Sequence, residues 1–144
     1  MEKIIKALEK NNFEVHYFET RAEVLAFVES LLPEGASISN GGSQSVTECG
    51  VFDLIKSGKY NYIDRFAATT PEEERKMIAD YFTADYFFCS ANAITENGEL
   101  VNVDGRSNRV AAFEGKTVHL RSSPNCVWPS PRSANPNTYL DRYE

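Results

Sequence analysis

Cysteine is scarce in this chain of 144 residues: Cys49, Cys89 and Cys126 are few, odd in number and widely spaced. That excludes a disulfide framework, and without a CxxC pair no iron–sulfur cluster or zinc site is expected on this chain alone. Histidine is scarcer still. His16 and His119 stand far apart with no acid pattern beside them, so neither a metal centre nor a catalytic triad is legible. Lys and Arg never form runs and the formal net charge is −6. No footprint for nucleic acid or an anionic membrane follows from such a surface. No apolar run approaches the roughly 20 residues that span a bilayer. The N-terminal MEKIIKALEKNNFE lacks the apolar core of a secretory leader, and a reduced, cytoplasmic chain is expected.

What is present fits one ordinary globule, with 42% hydrophobic and 25% charged residues. Ile4, Ile5 and Leu8 recur at helical spacing over Lys3 to Lys10, and Asn11-Asn12 closes that helix. FEVHYF alternates as a strand. Thr20 with Glu23 forms a capping box for a second helix, broken at Pro33-Glu34-Gly35. Ala36 to Ser39 predicts a short strand, Val46 to Lys56 a helix stopped by Ser57-Gly58, and YNYIDRF another strand. Thr70-Pro71-Glu72-Glu73 combines an N-cap, a first-position proline and first-turn acids. ADYFFCS reads as a central strand buried on both faces, which also makes Cys89 a core residue. AITENGELVNVD predicts a hairpin with a type I′ turn at Asn97-Gly98. A short helix in SNRVAAFEG, capped by Ser107 or Asn108, and a strand in KTVHL follow.

Strands alternating with helices predict an α/β domain with a mostly parallel sheet flanked by helices and an inserted β-hairpin. It is expected to cover residues 1–121. Residues 122–144, holding four of the six prolines, predict an irregular Pro/Ser/Asn-rich arm or tail that Trp128 and Tyr139 could anchor.

Two stretches could carry chemistry. In an α/β sheet, ligands collect beyond the carboxyl ends of the strands. Asn40-Gly41-Gly42-Ser43 and Ser90-Ala91-Asn92 both fall at such ends. The first offers backbone N–H groups and the Ser43 hydroxyl, with Thr47 and Glu48 one turn into the following helix. Glu48 would repel a phosphate and suits a hydroxyl or an arginine such as Arg106 or Arg109. The pattern is neither GxGxxG nor a P-loop, and a plain strand-to-helix turn explains the glycines equally well. The second stretch, NAITENGELVNVDGRSNRV, gathers Asn92, Thr95, Glu96, Asn102, Asp104, Asn108 and Arg109. Turn chemistry accounts for Asn97 and Asp104. Arg109, set in an Ala-rich apolar segment, needs a carboxylate or other anion. Cys49 beside Glu48 is a poor candidate for a thiolate.

GGSQSVTECG followed by DYFFCSANAITENGELVNVDGRSNRVAA resembles the LUD domain, the lactate-utilisation family of LutC/YkgG-like proteins, from the first helix to about Leu120. The resemblance implies the sugar-phosphate isomerase and CoA-transferase-like (NagB/RpiA) fold and a subunit implicated in oxidising L-lactate to pyruvate. It implies a small carboxylate or phosphate ligand. It also implies partner proteins that hold iron–sulfur clusters, with no cofactor bound by this chain alone. The ligand-binding residues implied are Gly41, Gly42, Ser43, Thr47, Asn92, Thr95, Asp104, Asn108 and Arg109, with Glu48 and Glu96 as acids for proton transfer and no metal ligand. Arg106-Ser107 departs from the family's smaller pair. After Leu120, RSSPNCVWPSPRSANPNTYLDRYE replaces an expected strand, turn and helix, leaving an open sheet edge suited to self-association. Two other readings follow: a non-catalytic module docking on the cluster-bearing subunit, and an inactive, truncated family member.

Overall fold

A computed structural model describes residues 2–64, 67–103, 116–119 and 127–128, the last two spans as backbone strands. By contacts the chain divides into two units.

The larger unit has at its centre a four-stranded parallel sheet in the order β2-β1-β3-β6. Its members are β1 (Ser37–Asn40), β2 (Asn61–Tyr62), β3 (Tyr86–Cys89) and β6 (Lys116–His119). ADYFFCS is thus central, between β1 and β6, and all four residues of β3 are buried. Alternate side chains point to opposite faces. Tyr86 and Phe88 join Ile38 in a cluster with Val28 of α2 (Arg21–Leu31) and Leu32 just past its end, Val46 of α3 (Gln44–Glu48), and Val51 and Ile55 of α4 (Val51–Ile55). Phe87 and Cys89 face the other way, onto Tyr81 and Met77 of α5 (Pro71–Phe82). Helices therefore cover both faces. The connection β1-α3-α4-β2 moves one way along the sheet and β2-α5-β3 moves back. Reversing direction while changing face keeps both crossovers of the same hand. Cys89 lies in the core at 0% exposure.

Local chemistry explains the ends of these elements. Thr20 and Thr70 each accept from the third helical N–H, and Glu23 and Glu73 reach back to the cap N–H, completing both capping boxes. At the amino ends of β1 and β3, Ser37 N and Oγ both donate to Asp85 Oδ2, at 2.9 and 2.6 Å. Asp85 N donates back to Ser37 Oγ at 2.9 Å.

Three expectations are corrected. FEVHYF forms no strand among the described residues, and Phe13 and Tyr17 are exposed. Alternation assigns faces, but a strand also needs a neighbour to pair with. The helix expected over Val46 to Lys56 is two short helices, because Gly50 takes a left-handed φ of 73° between α3 and α4. The hairpin pairs β4 (Ala93–Thr95) with β5 (Leu100–Val101), but its turn is not type I′. Gly98 alone has positive φ there, and its N–H donates to the Thr95 carbonyl at 3.0 Å while Thr95 N–H reaches the Glu99 carbonyl. That is a three-residue loop closed by a glycine bulge.

The smaller unit holds this hairpin, α1 (Glu2–Lys10) and β7 (Val127–Trp128), which pairs parallel with β4. Asn11-Asn12 ends α1 as expected. Asn12 has φ 66°, its N–H reaches the Glu9 carbonyl, and Phe13 N–H reaches that of Leu8. These two bonds make a Schellman motif, in which Asn substitutes for the usual glycine. Asn11 Nδ2 then donates to the Asn97 and Gly98 carbonyls, both at 2.9 Å. Among the described residues no helix is long and apolar enough to cross a membrane.

Candidate functional site

The strand order places a topological switch point between β1 and β3, because the chain leaves β1 toward one edge and returns on its other side. At the carboxyl ends there, Gly41 N–H donates to the Phe88 carbonyl at 2.8 Å. Just beyond, Ser43 Oγ and Ser90 Oγ share a hydrogen bond of 2.5 Å. Ser43 also caps α3, accepting from Val46 N–H at 3.2 Å. The glycine loop and the end of β3 therefore meet, as the strand-end rule predicts.

Neither Gly41 nor Gly42 has a left-handed φ, which among the described residues falls at Gly35, Gly50, Gly58, Gly98 and Asn12. The loop does not use its glycines for that freedom. What they contribute is the lack of a side chain, and Gly42 is exposed. The backbone N–H groups of Gly42 and Ser43 have no hydrogen-bond partner among the described residues. Small size and open donors together suit the close approach of an acceptor-rich ligand.

Asn40, the last residue of β1, is half-buried beside this loop. Its Oδ1 accepts from the Tyr62 hydroxyl at 2.7 Å, and its Nδ2 donates to the Gly41 carbonyl at 3.0 Å. Tyr62 packs edge-on against Phe52, and the Lys56 ammonium lies 5.5 Å from its ring centre. Tyr62 escaped the sequence reading. Its signal was the strand pattern of YNYIDRF together with the tendency of successive strands to lie side by side.

Thr47 is exposed, one turn along α3, with its hydroxyl 3.5 Å from the Ser43 carbonyl. Glu48 Oε2 accepts from Arg21 Nη2 at 2.9 Å, an arginine partner that the sequence reading also missed. Burial pushes the Cys49 thiol above the ordinary cysteine pKa; nearby Arg21 lowers it and Glu48 raises it. Among the described residues, no three His, Cys, Asp or Glu side chains come together as metal ligands. A concavity of about 390 Å³, lined by Pro33, Glu34, Gly35, Ala36, Asp85 and Tyr86, lies at the amino ends of β1 and β3. The switch point is at the other end of these strands.

The residues of the second stretch divide differently. Thr95 is 1% exposed, and its hydroxyl donates to Glu99 Oε2 at 2.8 Å while accepting Glu99 N–H at 3.1 Å. Closing the hairpin accounts for it. Glu96, at the exposed turn, pairs with Lys3 at 3.4 Å. Asn92 N–H donates to the Val101 carbonyl at 2.9 Å. Asp104, Asn108 and Arg109 lie outside the described residues, as do Arg106, Ser107 and Cys126.

No curated protein and no solved structure matches the chain. A family model described as the LUD domain matches residues 1–121, which include the glycine loop and the whole second stretch. With most of its length matched, the chain belongs to the LUD domain family.

Proposed function

We propose that the crevice beyond β1 and β3 binds the carboxylate of a small hydroxy acid, and that the chain serves as a LUD-type subunit in the oxidation of L-lactate to pyruvate. The observation that carries this reading is the Ser43–Ser90 hydrogen bond, which draws two strand ends together beside the open N–H groups of Gly42 and Ser43. These donors are neutral, and a carboxylate accepts from several at once. The parallel order β2-β1-β3-β6 supports the sugar-phosphate isomerase and CoA-transferase-like fold. Family membership supports the lactate assignment and, with it, the role of Arg109 as charge partner.

Turning lactate into pyruvate removes two electrons and two protons. No amino-acid side chain accepts a hydride unaided, so the two electrons would pass to a redox group on a partner protein, and family membership is what supports iron–sulfur clusters in that role. This chain's part is to bind and orient the acid. Glu48, on the same unit as the crevice, would take the hydroxyl proton, and the proton from the carbon that bears the hydroxyl would pass to solvent as the two electrons leave.

A second reading, a binding or assembly module without catalysis, is favoured by one observation: Glu48 and Glu96 are each paired with a cation, Arg21 and Lys3. Isothermal titration with L-lactate, pyruvate and inorganic phosphate tests the ligand. Saturable lactate binding that weakens about tenfold in Ser43→Ala and vanishes in Arg109→Ala is expected. Silence across the panel overturns it. Lactate-dependent reduction of a dye, after reconstitution with the cluster-bearing partner, separates catalysis from assembly.

A further inference from the structure

We propose that Asn40 selects the ligand of the switch-point crevice, presenting one side-chain N–H, aimed by Tyr62, to a carboxylate oxygen of a small organic acid. This rests on the reading above that the crevice binds such an acid, and adds which residue recognises it. The amide has two donors and one acceptor oxygen, and the surroundings decide which end is which. The Gly41 carbonyl can only accept, so the atom 3.0 Å from it is the nitrogen. Oδ1 then faces the Tyr62 hydroxyl, which donates to it at 2.7 Å. A flipped amide would set two oxygens against each other. These contacts consume one of the two Nδ2 hydrogens. The second has no partner among the described residues.

Asn40 is half-buried, and a donor withdrawn from water gains from an acceptor. It precedes Gly42 and Ser43 by only a few positions, so one short stretch supplies three donors without a partner among the described residues. A carboxylate receives such donors on its two oxygens, whereas an ammonium or an apolar group cannot. Tyr62 touches Asn40 and acts through it, as a positioning residue. Its ring, set by Phe52 and Lys56, gives the phenol a fixed direction.

The test is a titration of the isotope-labelled full chain with L-lactate, and with inorganic phosphate as comparator, following the Asn40 side-chain resonances and the backbone amides of Gly42 and Ser43. L-Lactate should shift all three sets and phosphate should shift them less. Asn40→Asp, which keeps the shape but replaces the donor by an oxygen, should weaken lactate binding at least about tenfold. Tyr62→Phe should weaken it about threefold and move the Asn40 side-chain resonances before any ligand is added, with little change in melting temperature. If Asn40→Asp does not fold, the unmodified chain and Tyr62→Phe still decide the matter. Lactate shifts at Gly42 and Ser43 with a still Asn40 side chain overturn this inference and leave the crevice reading standing. Equal response to phosphate overturns the selectivity. No shift anywhere overturns both.

Discussion

Ser43 and Ser90 are joined Oγ to Oγ across the ends of β1 and β3, two strands separated in sequence by two helical crossovers. Ser43→Ala removes this bond and the cap of α3 and should cost about 1–2 kcal/mol; Ser90→Ala leaves that cap in place and should cost about 1 kcal/mol through loss of the shared bond. The double variant should lose about 0.5–1.5 kcal/mol less than the sum, because the shared bond is counted once. Urea unfolding of the four proteins measures this. Strictly additive losses would show that the hydroxyls do not bond in solution.

Gly35 and Gly98 make a controlled pair, since both have φ 76°. A Cβ on Gly35 meets nothing within 4 Å, whereas on Gly98 it would lie 2.4 Å from the backbone carbon of Ala7. Gly35→Ala should therefore cost only the left-handed strain, about 1–2 kcal/mol. Gly98→Ala adds a clash with helix backbone and should cost about 1–3 kcal/mol more. Equal melting temperatures for the two variants would refute the close packing of α1 on the hairpin turn.

The capping boxes predict an acid-side loss of stability. Glu73 is held below the ordinary glutamate pKa by the backbone N–H of Thr69, then by the Thr69 hydroxyl and Thr70 N–H. Glu23 is lowered by the Thr20 hydroxyl and backbone N–H. With the folded pKa below the unfolded one, the contribution is complete above the ordinary glutamate range and fades as pH falls through the folded values. Stability measured against pH should fall less steeply there in Glu23→Gln with Glu73→Gln than in the parent. Unchanged slopes would mean that these acids do not cap. Thr70→Ala should cost about 1 kcal/mol at neutral pH.

Cys49 should be slow to alkylate at neutral pH, since it is 6% exposed and burial raises its pKa. Arg21 opposes that rise, so Arg21→Ala should shift the pH–rate profile of iodoacetamide modification further upward. Glu48→Gln should shift it down. Mass spectrometry of the modified peptide gives both rates; a profile indifferent to Arg21 would place the guanidinium elsewhere in solution.

Helix ends were legible in the sequence because capping is chemistry between near neighbours. Thr20-x-x-Glu23, Thr70-Pro71 and Asn11-Asn12 needed only a few residues to be understood. FEVHYF misled because pairing depends on residues far along the chain. The apolar spacing through Val51 and Ile55 concealed a break that Gly50 introduces by backbone conformation alone. For the candidate site, the rule about strand ends singled out the glycine loop and the end of β3, which do meet at Ser43 and Ser90, but the partners Tyr62 and Arg21 came from the strand and helix order. TENG, conspicuous in the sequence, is partly the chemistry of a hairpin: Thr95 closes it and Gly98 lets α1 approach.

Ser37 with Asp85 and Ser43 with Ser90 fasten β1 to β3 at both extremities, and both faces of β3 are covered. Fraying from either end is thereby suppressed, so deuterium should enter the amides of Phe87 and Phe88 only when the larger unit opens cooperatively. A ligand seated at the switch point would then slow that exchange by mass action, giving a label-free readout of occupancy from residues it never touches.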